Sequence, residues 1–158
     1  MSDTYDKFLP EGIPDWQMPF WESLHRRRAE VQRCADCGRY RYVPKERCPA
    51  CLSPRASWEA ISGRGEVYTY SVVHRGPSPA YQADAPYVIA HVTMEEGFRM
   101  AGSLRGVAPE ATQIGLEVRL AYEDATPEWA LFYFEPSPRG GESAQDDGDV
   151  LGVAGWHW

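Results

Sequence analysis

Beyond Gly65 the apolar positions recur every second residue, the period of a strand with one buried face. Gly65 to His74 (GEVYTYSVVH) is rich in β-branched and aromatic residues, and Tyr87 to Met94 (YVIAHVTM) repeats the signal. Glu95-Glu96-Gly97 reads as a hairpin turn into Phe98 to Arg105, where Phe98, Met100 and Leu104 alternate with Arg99, Ser103 and Arg105. Leu116 to Tyr122 places Leu116, Val118, Leu120 and Tyr122 on one face, and Trp129 to Phe134 is a fifth strand. Pro109 to Ile114, between strands three and four, has room for a single helical turn. This order predicts a small Greek-key barrel of the oligonucleotide/oligosaccharide-binding (OB) type, with a five-stranded sandwich as the competing architecture.

Upstream the period changes. Pro14 to Arg28 reads as a short helix: Pro19 suits the first turn, Phe20, Trp21 and Leu24 share a side, and basic residues gather at the C-terminal end, where they complement the helix dipole. Ala29 to Arg33 and Arg39 to Val43 are strand-like segments around a group of cysteines. After Pro136 the chain turns polar and Gly-rich (SPRGGESAQDDGD), as a flexible linker would, and it closes on Trp156-His157-Trp158. The expected class is mainly β, in four parts: residues 1–28 with the helix, 29–61 around the cysteines, 62–136 as the barrel, and 137–158 as a tail.

Composition narrows the setting. With 158 residues and 43% apolar content the chain can bury a core. No run approaches the ~18 consecutive apolar residues of a membrane span. The first residues lack a basic start followed by an apolar stretch, so a cytoplasmic, reducing setting is the expectation. Charge is uneven. Between His25 and Arg47 eight basic residues face three acidic ones, in a chain of net charge −7. A basic patch on an acidic protein points to one specific anionic partner, or to a solvated face paired with the protein's own acids.

The chemistry lies in Cys34-x2-Cys37 and, ten residues on, Cys48-x2-Cys51. Each Cys-x-x-Cys turn offers two thiolates from one tight knuckle, and two knuckles complete the tetrahedral shell of a structural zinc ion. Gly38 follows the first pair, where such a knuckle needs a positive φ, and Pro49 stiffens the second. Two disulfides are the alternative, disfavoured in a reducing compartment; a redox dithiol would need one pair and a thioredoxin-like setting. Four thiolates leave no position for a catalytic water, so the metal is expected to support the fold.

Little else suggests catalysis. The cysteines are committed, no Gly-x-Ser-x-Gly elbow occurs, and His25, His74, His91 and His157 have no evident serine and acid around them. His91 reads as a barrel histidine rather than a base, and no catalytic residue is assigned. A ribbon beside an OB barrel with Tyr68, Tyr70 and Phe98, and with Arg99 adjacent, would also suit single-stranded nucleic acid. The acidity of the barrel half opposes a phosphate backbone, so nucleic acid remains the second reading.

The ordered residues resemble the zinc-ribbon/OB-fold family of acyl-CoA-associated proteins, a domain of unknown function. The matching features are Pro19-Phe20-Trp21, Gln32-Arg33-Cys34-Ala35-Asp36-Cys37-Gly38, Pro44, Cys48-Pro49-Ala50-Cys51, Trp58, Ser62-Gly63-Arg64-Gly65-Glu66-Val67, Pro86-Tyr87-Val88, Glu96-Gly97 and Ile114-Gly115. No single piece is specific; the ordered set, from about Pro19 to Pro136, is. The resemblance implies an N-terminal helix, a rubredoxin-like ribbon and a C-terminal OB barrel. It implies a small accessory subunit in a heteromer with a thiolase-fold acyl-CoA enzyme (a thiolase, or a retro-aldolase of steroid side-chain degradation) or with a hot-dog-fold hydratase. There the partner carries the catalytic residues, and the small subunit supports it or helps to form the acyl-CoA channel. The basic patch then suits the phosphates of coenzyme A, since arginine forks match such oxygens. Arg26, Arg27, Arg39 and Arg41 are the candidates, with Tyr68, Tyr70 and Phe98 as stacking or acyl-facing groups; each serves equally well as a partner contact.

Overall fold

A computed structural model describes residues 5–137. The linker and the Trp156-His157-Trp158 end expected beyond that point lie outside the described residues. Helix α1 (Met18–His25) follows a single 3-10 turn, Asp15–Gln17, and Pro19 sits at its start. There a missing N–H costs no helical bond. The helix ends three residues before the expected Arg28. Arg28 N–H donates to Ser23 O, Arg27 N–H donates to Leu24 O, and Arg27 takes φ 53°. This is a Schellman stop with arginine at the left-handed position glycine normally fills, so the usual sequence signal for the stop is missing.

The cysteine region is a three-stranded antiparallel sheet, β2 (Tyr40–Arg41), β1 (Glu30–Cys34) and β3 (Ala56–Ala60), in that order. Strand β3 pairs with β1 from Cys34↔Ala56 to Glu30↔Ala60. The sequence pattern does not reveal it, because Ala-Ser-Trp-Glu-Ala lacks β-branched residues.

Strands β4 (Arg64–Val73), β5 (Tyr87–Met94), β6 (Arg99–Leu104), β7 (Glu117–Asp124) and β8 (Ala130–Pro136) close a barrel in the order β4-β5-β6-β8-β7. Closure needs β6 and β8 to run parallel, and they meet at Leu104↔Phe134, with Arg105 N–H donating to Phe134 O at 2.8 Å. That contact decides between barrel and sandwich: the fold is an OB-like barrel. The turn expected between its third and fourth strands is the 3-10 segment Pro109–Ala111. A second helix, α2 (Pro79–Asp84), fills the β4–β5 connection and is not expected from the pattern. The alternation holds in the interior: Val67, Val88, Ala90, Val92, Met94, Met100, Leu104, Val118, Leu120 and Phe134 are buried. His91 is a barrel histidine, as expected, exposed on the outer face of β5.

Ribbon and barrel share one apolar interior. Phe20 and Leu24 of α1 and Val31 of β1 belong to the same cluster as the barrel residues. Phe20 meets Tyr42 at 5.8 Å and Phe132 at 6.1 Å, Trp21 meets Trp129 at 5.8 Å, and Tyr40 stacks on Phe98 at 5.1 Å. The Ser62-Gly63-Arg64-Gly65 run is the clasp between ribbon and barrel. Ser62 N–H donates to Glu96 Oε1, Glu95 N–H donates to Arg64 O, and Arg64 pairs with Glu95 at 3.2 Å.

Gly65 pairs with Met94 on one side and Val118 on the other, and a Cβ there would run into Thr93 O and come within 2.7 Å of Val92 Cγ1. Gly65→Ala is expected to destabilise the protein by about 2–3 kcal/mol, through forced displacement of the β4–β5 ladder. Denaturant melts of the two proteins, compared at equal slope, measure it.

Candidate metal centre

Each knuckle is built from the same backbone bonds. Cys34 N–H donates to Arg39 O and Gly38 N–H to Cys34 O; Cys48 N–H donates to Ser53 O and Leu52 N–H to Cys48 O. The residue four after the first cysteine of each pair is left-handed: Gly38 at φ 72° and Leu52 at φ 62°. The Gly38 position follows the sequence expectation. Its counterpart is hidden, because leucine stands where the same turn favours glycine.

The four sulfurs lie within 4.8 Å of one another, with Cys34–Cys51 and Cys37–Cys48 at 3.6 Å. A disulfide requires about 2.05 Å, and all four thiols are free. A tetrahedron of sulfurs about 2.3 Å from a central zinc has edges of about 3.8 Å, so the donor set fits a four-thiolate ion. Electrostatics point the same way. Cys34 is drawn down to about 5, first by a backbone hydrogen bond from Cys37 and then by the Arg41 guanidinium. Backbone hydrogen bonds from Ala50 and Cys51 lower Cys48. Cys51, despite a Ser53 backbone bond that lowers it, is pushed up to about 12 by desolvation and by the other three sulfurs. Four sulfurs this close ionise together only around a cation, and a divalent metal supplies the charge.

A polar network ties the knuckles together. Asp36, inside the first, accepts from Ser53 Oγ and from the Arg55 guanidinium, both beyond the second. Those bonds, Ser53 first, hold the Asp36 carboxyl below its ordinary range. Gln32, buried in β1, accepts from Lys45 N–H at 2.8 Å. Ser53 and Arg55 carry no pattern that singles them out in the sequence, and Gln32 and Asp36 stand there only as members of the first cysteine motif.

The seven candidates for coenzyme A do not form one site. Arg41 requires a correction: it is 1% exposed, and its Nη2 donates to Ser53 O at 2.8 Å and Arg55 O at 2.7 Å, so it cannot reach a phosphate in solvent. Arg26 pairs with Glu30 at 3.2 Å and Arg27 with Asp124 at 2.5 Å. Asp124 is six residues, roughly 20 Å, along β7 from Val118, the residue beside the β5–β6 hairpin end. Arg39 is exposed on the ribbon and borders a crevice with Arg33, Tyr40, Glu96 and Phe98. Phe98 is already stacked on Tyr40, which makes it part of the ribbon–barrel junction rather than a free platform. Tyr68 is exposed beneath the Arg99 guanidinium at 3.5 Å, and Tyr70 is half-buried against the core.

Two knuckles that together carry four sulfurs, on a three-stranded sheet joined to a closed OB-like barrel, define a zinc-ribbon/OB-fold protein. Comparison with known proteins is specific: residues 21–56 match "ChsH2, rubredoxin-like zinc ribbon domain" and residues 58–123 match "ChsH2, C-terminal OB-fold domain". A "DUF35 domain-containing scaffold protein" of Methanocaldococcus jannaschii is 41% identical over 65% of this chain and 73% of its own length. The chain belongs to the ChsH2 (DUF35) family. A solved structure described as "Ltp2-ChsH2(DUF35) aldolase" is 37% identical, with TM-score 0.72, over 80% of this chain and 98% of that one. The "3-oxo-4,17-pregnadiene-20-carboxyl-CoA hydratase alpha subunit" of Mycobacterium tuberculosis is 38% identical over 74% of this chain. The chain spans only 36–37% of the length of the curated hydratase alpha subunits it matches. Among the described residues no helix is long and apolar enough to cross a membrane.

Aside from Pro44, the buried apolar side chains between Cys34 and Arg55 are the cysteines Cys34 and Cys48. Stripping the metal with a chelator is therefore expected to collapse the amide dispersion of residues 34–55 in NMR spectra while the barrel resonances persist. Leu52 is 69% exposed and left-handed, so Leu52→Gly is expected to stabilise the metal-loaded protein by about 0.5–1 kcal/mol, read in thermal melts.

Proposed function

We propose that this chain is a non-catalytic accessory subunit that docks on a thiolase-fold acyl-CoA enzyme and helps to form its acyl-CoA channel. The partner is a thiolase or a retro-aldolase acting on steroid side-chain thioesters in the cytoplasm, with a hot-dog-fold hydratase as the related alternative. The observation that carries this reading is the match, at 37% identity, to 98% of a chain solved as an Ltp2-ChsH2 aldolase. The steroid-CoA hydratase alpha subunit among the relatives supports the same class of thioester.

The geometry is consistent with support rather than chemistry. A resident zinc ion would find its four positions filled by Cys34, Cys37, Cys48 and Cys51, so it holds the ribbon and activates no water. Of the arginines first considered for coenzyme A, Arg39 alone is exposed and in none of the ion pairs found among the described residues. It borders the crevice at the β5–β6 hairpin, and its planar fork suits a phosphate presented from a partner's edge.

Co-expression with a thiolase-fold acyl-CoA enzyme is expected to give a stable heteromer in light-scattering chromatography, with thioester cleavage only when both chains are present. Full-rate cleavage by this chain alone would overturn the accessory role. Failure to assemble with the thiolase-fold protein, together with tight assembly with a hot-dog-fold hydratase, would move the partner to the second class.

A further inference from the structure

Arg41 is the most deeply buried charged side chain of the ribbon, and among the described residues it forms no ion pair with a carboxylate. A buried cation without a counter-charge is heavily penalised, so an anion must lie nearby. The same side chain makes a second, mechanical connection. Its Nη2 donates to Ser53 O and to Arg55 O. Ser53 O is also the acceptor for Cys48 N–H in the second knuckle, and Arg55 O is the acceptor for Ala35 N–H in the first. One guanidinium therefore grips the two carbonyls on which the two knuckles close. Its Nη1 reaches toward Lys45 O at 3.5 Å, and Nε finds no oxygen acceptor.

We propose that Arg41 is the resident counter-charge of the metal centre: it offsets part of the net double negative charge of a divalent ion bound by four thiolates, and it sets the distance between the knuckles. Although desolvation lowers its pKa, the negative charge of the neighbouring Cys34 and Cys48 thiolates holds the guanidinium above its ordinary value, which agrees with that placement. The exposed arginines of the ribbon, Arg33, Arg39, Arg47 and Arg55, face solvent, where screening weakens their hold on the sulfurs. Arg41 is a positioning residue; it touches no reacting atom.

The test uses the full chain loaded with Zn2+, and separately with Co2+, as wild type, Arg41→Gln and Arg41→Lys. Outer-shell partners of metal ligands typically govern affinity by 10–100-fold. Arg41→Gln is expected to lose Zn2+ affinity by about that factor in chelator competition. It should also shift the sulfur-to-cobalt charge-transfer band to lower energy, because uncompensated thiolates give up electron density more readily. Arg41→Lys, which keeps the charge and loses the fork, is expected to restore the band position and part of the affinity. A purely structural role would leave the band in place. An Arg41→Gln protein with wild-type affinity and an unmoved band overturns the proposal. Equal loss of metal from both variants overturns the counter-charge and leaves only a mechanical clamp.

Discussion

Four sulfurs held within 4.8 Å of one another present a charge problem that the protein must solve before the loop from Cys34 to Arg55 can close. Between Cys34 and Arg55 the ribbon has almost no apolar core of its own; the buried residues there are Cys34, Arg41, Pro44, Cys48 and Ser53. Hydrophobic burial cannot close the loop from Cys34 to Arg55. A dication among the thiolates can, since the binding free energy of a structural metal is spent directly on folding. The short strand β2 then has a fixed place beside β1, and with it Tyr40 and Tyr42.

Those two tyrosines transmit the metal's effect to the barrel. Tyr40 stacks on Phe98 at the β5–β6 hairpin, and Tyr42 contacts both Phe98 and Phe20 of the helix. The Ser62–Gly65 clasp runs to the same hairpin through Glu95 and Glu96. Ribbon, helix and barrel therefore meet around one hairpin, and the orientation of the ribbon's exposed rim, where Arg39 stands, follows from it. A closed barrel leaves no open sheet edge among its own strands, so what the molecule offers a partner is side-chain surface rather than a strand to pair with. That suits a scaffold.

Much of this was legible in the residues. The two Cys-x-x-Cys pairs announced the metal, because thiolates from two tight turns have few other uses in a reducing setting. The five barrel strands showed as period-two runs, since each has one face in the core. The elements that stayed hidden have particular reasons. Strand β3 is held by pairing with β1, not by propensity. The helix stops at His25 because Arg27 adopts a conformation that glycine usually marks, with its guanidinium paired to Asp124 far along the chain. Leu52 conceals the second knuckle's left-handed residue in the same way.

The sequence by itself determined the ligand set, the number of barrel strands and the family resemblance, because spacing and alternation are local properties that survive without knowledge of neighbours. Tertiary structure alone decided that the sheet closes into a barrel, through the single parallel contact of Leu104 with Phe134. It alone decided the fate of the arginines. Arg26, Arg27, Arg39 and Arg41 look alike along the chain, yet two are ion-paired, one borders a crevice and one is sealed inside the metal centre. A charged side chain's role depends on which groups surround it in space, and that depends on contacts between residues distant in sequence.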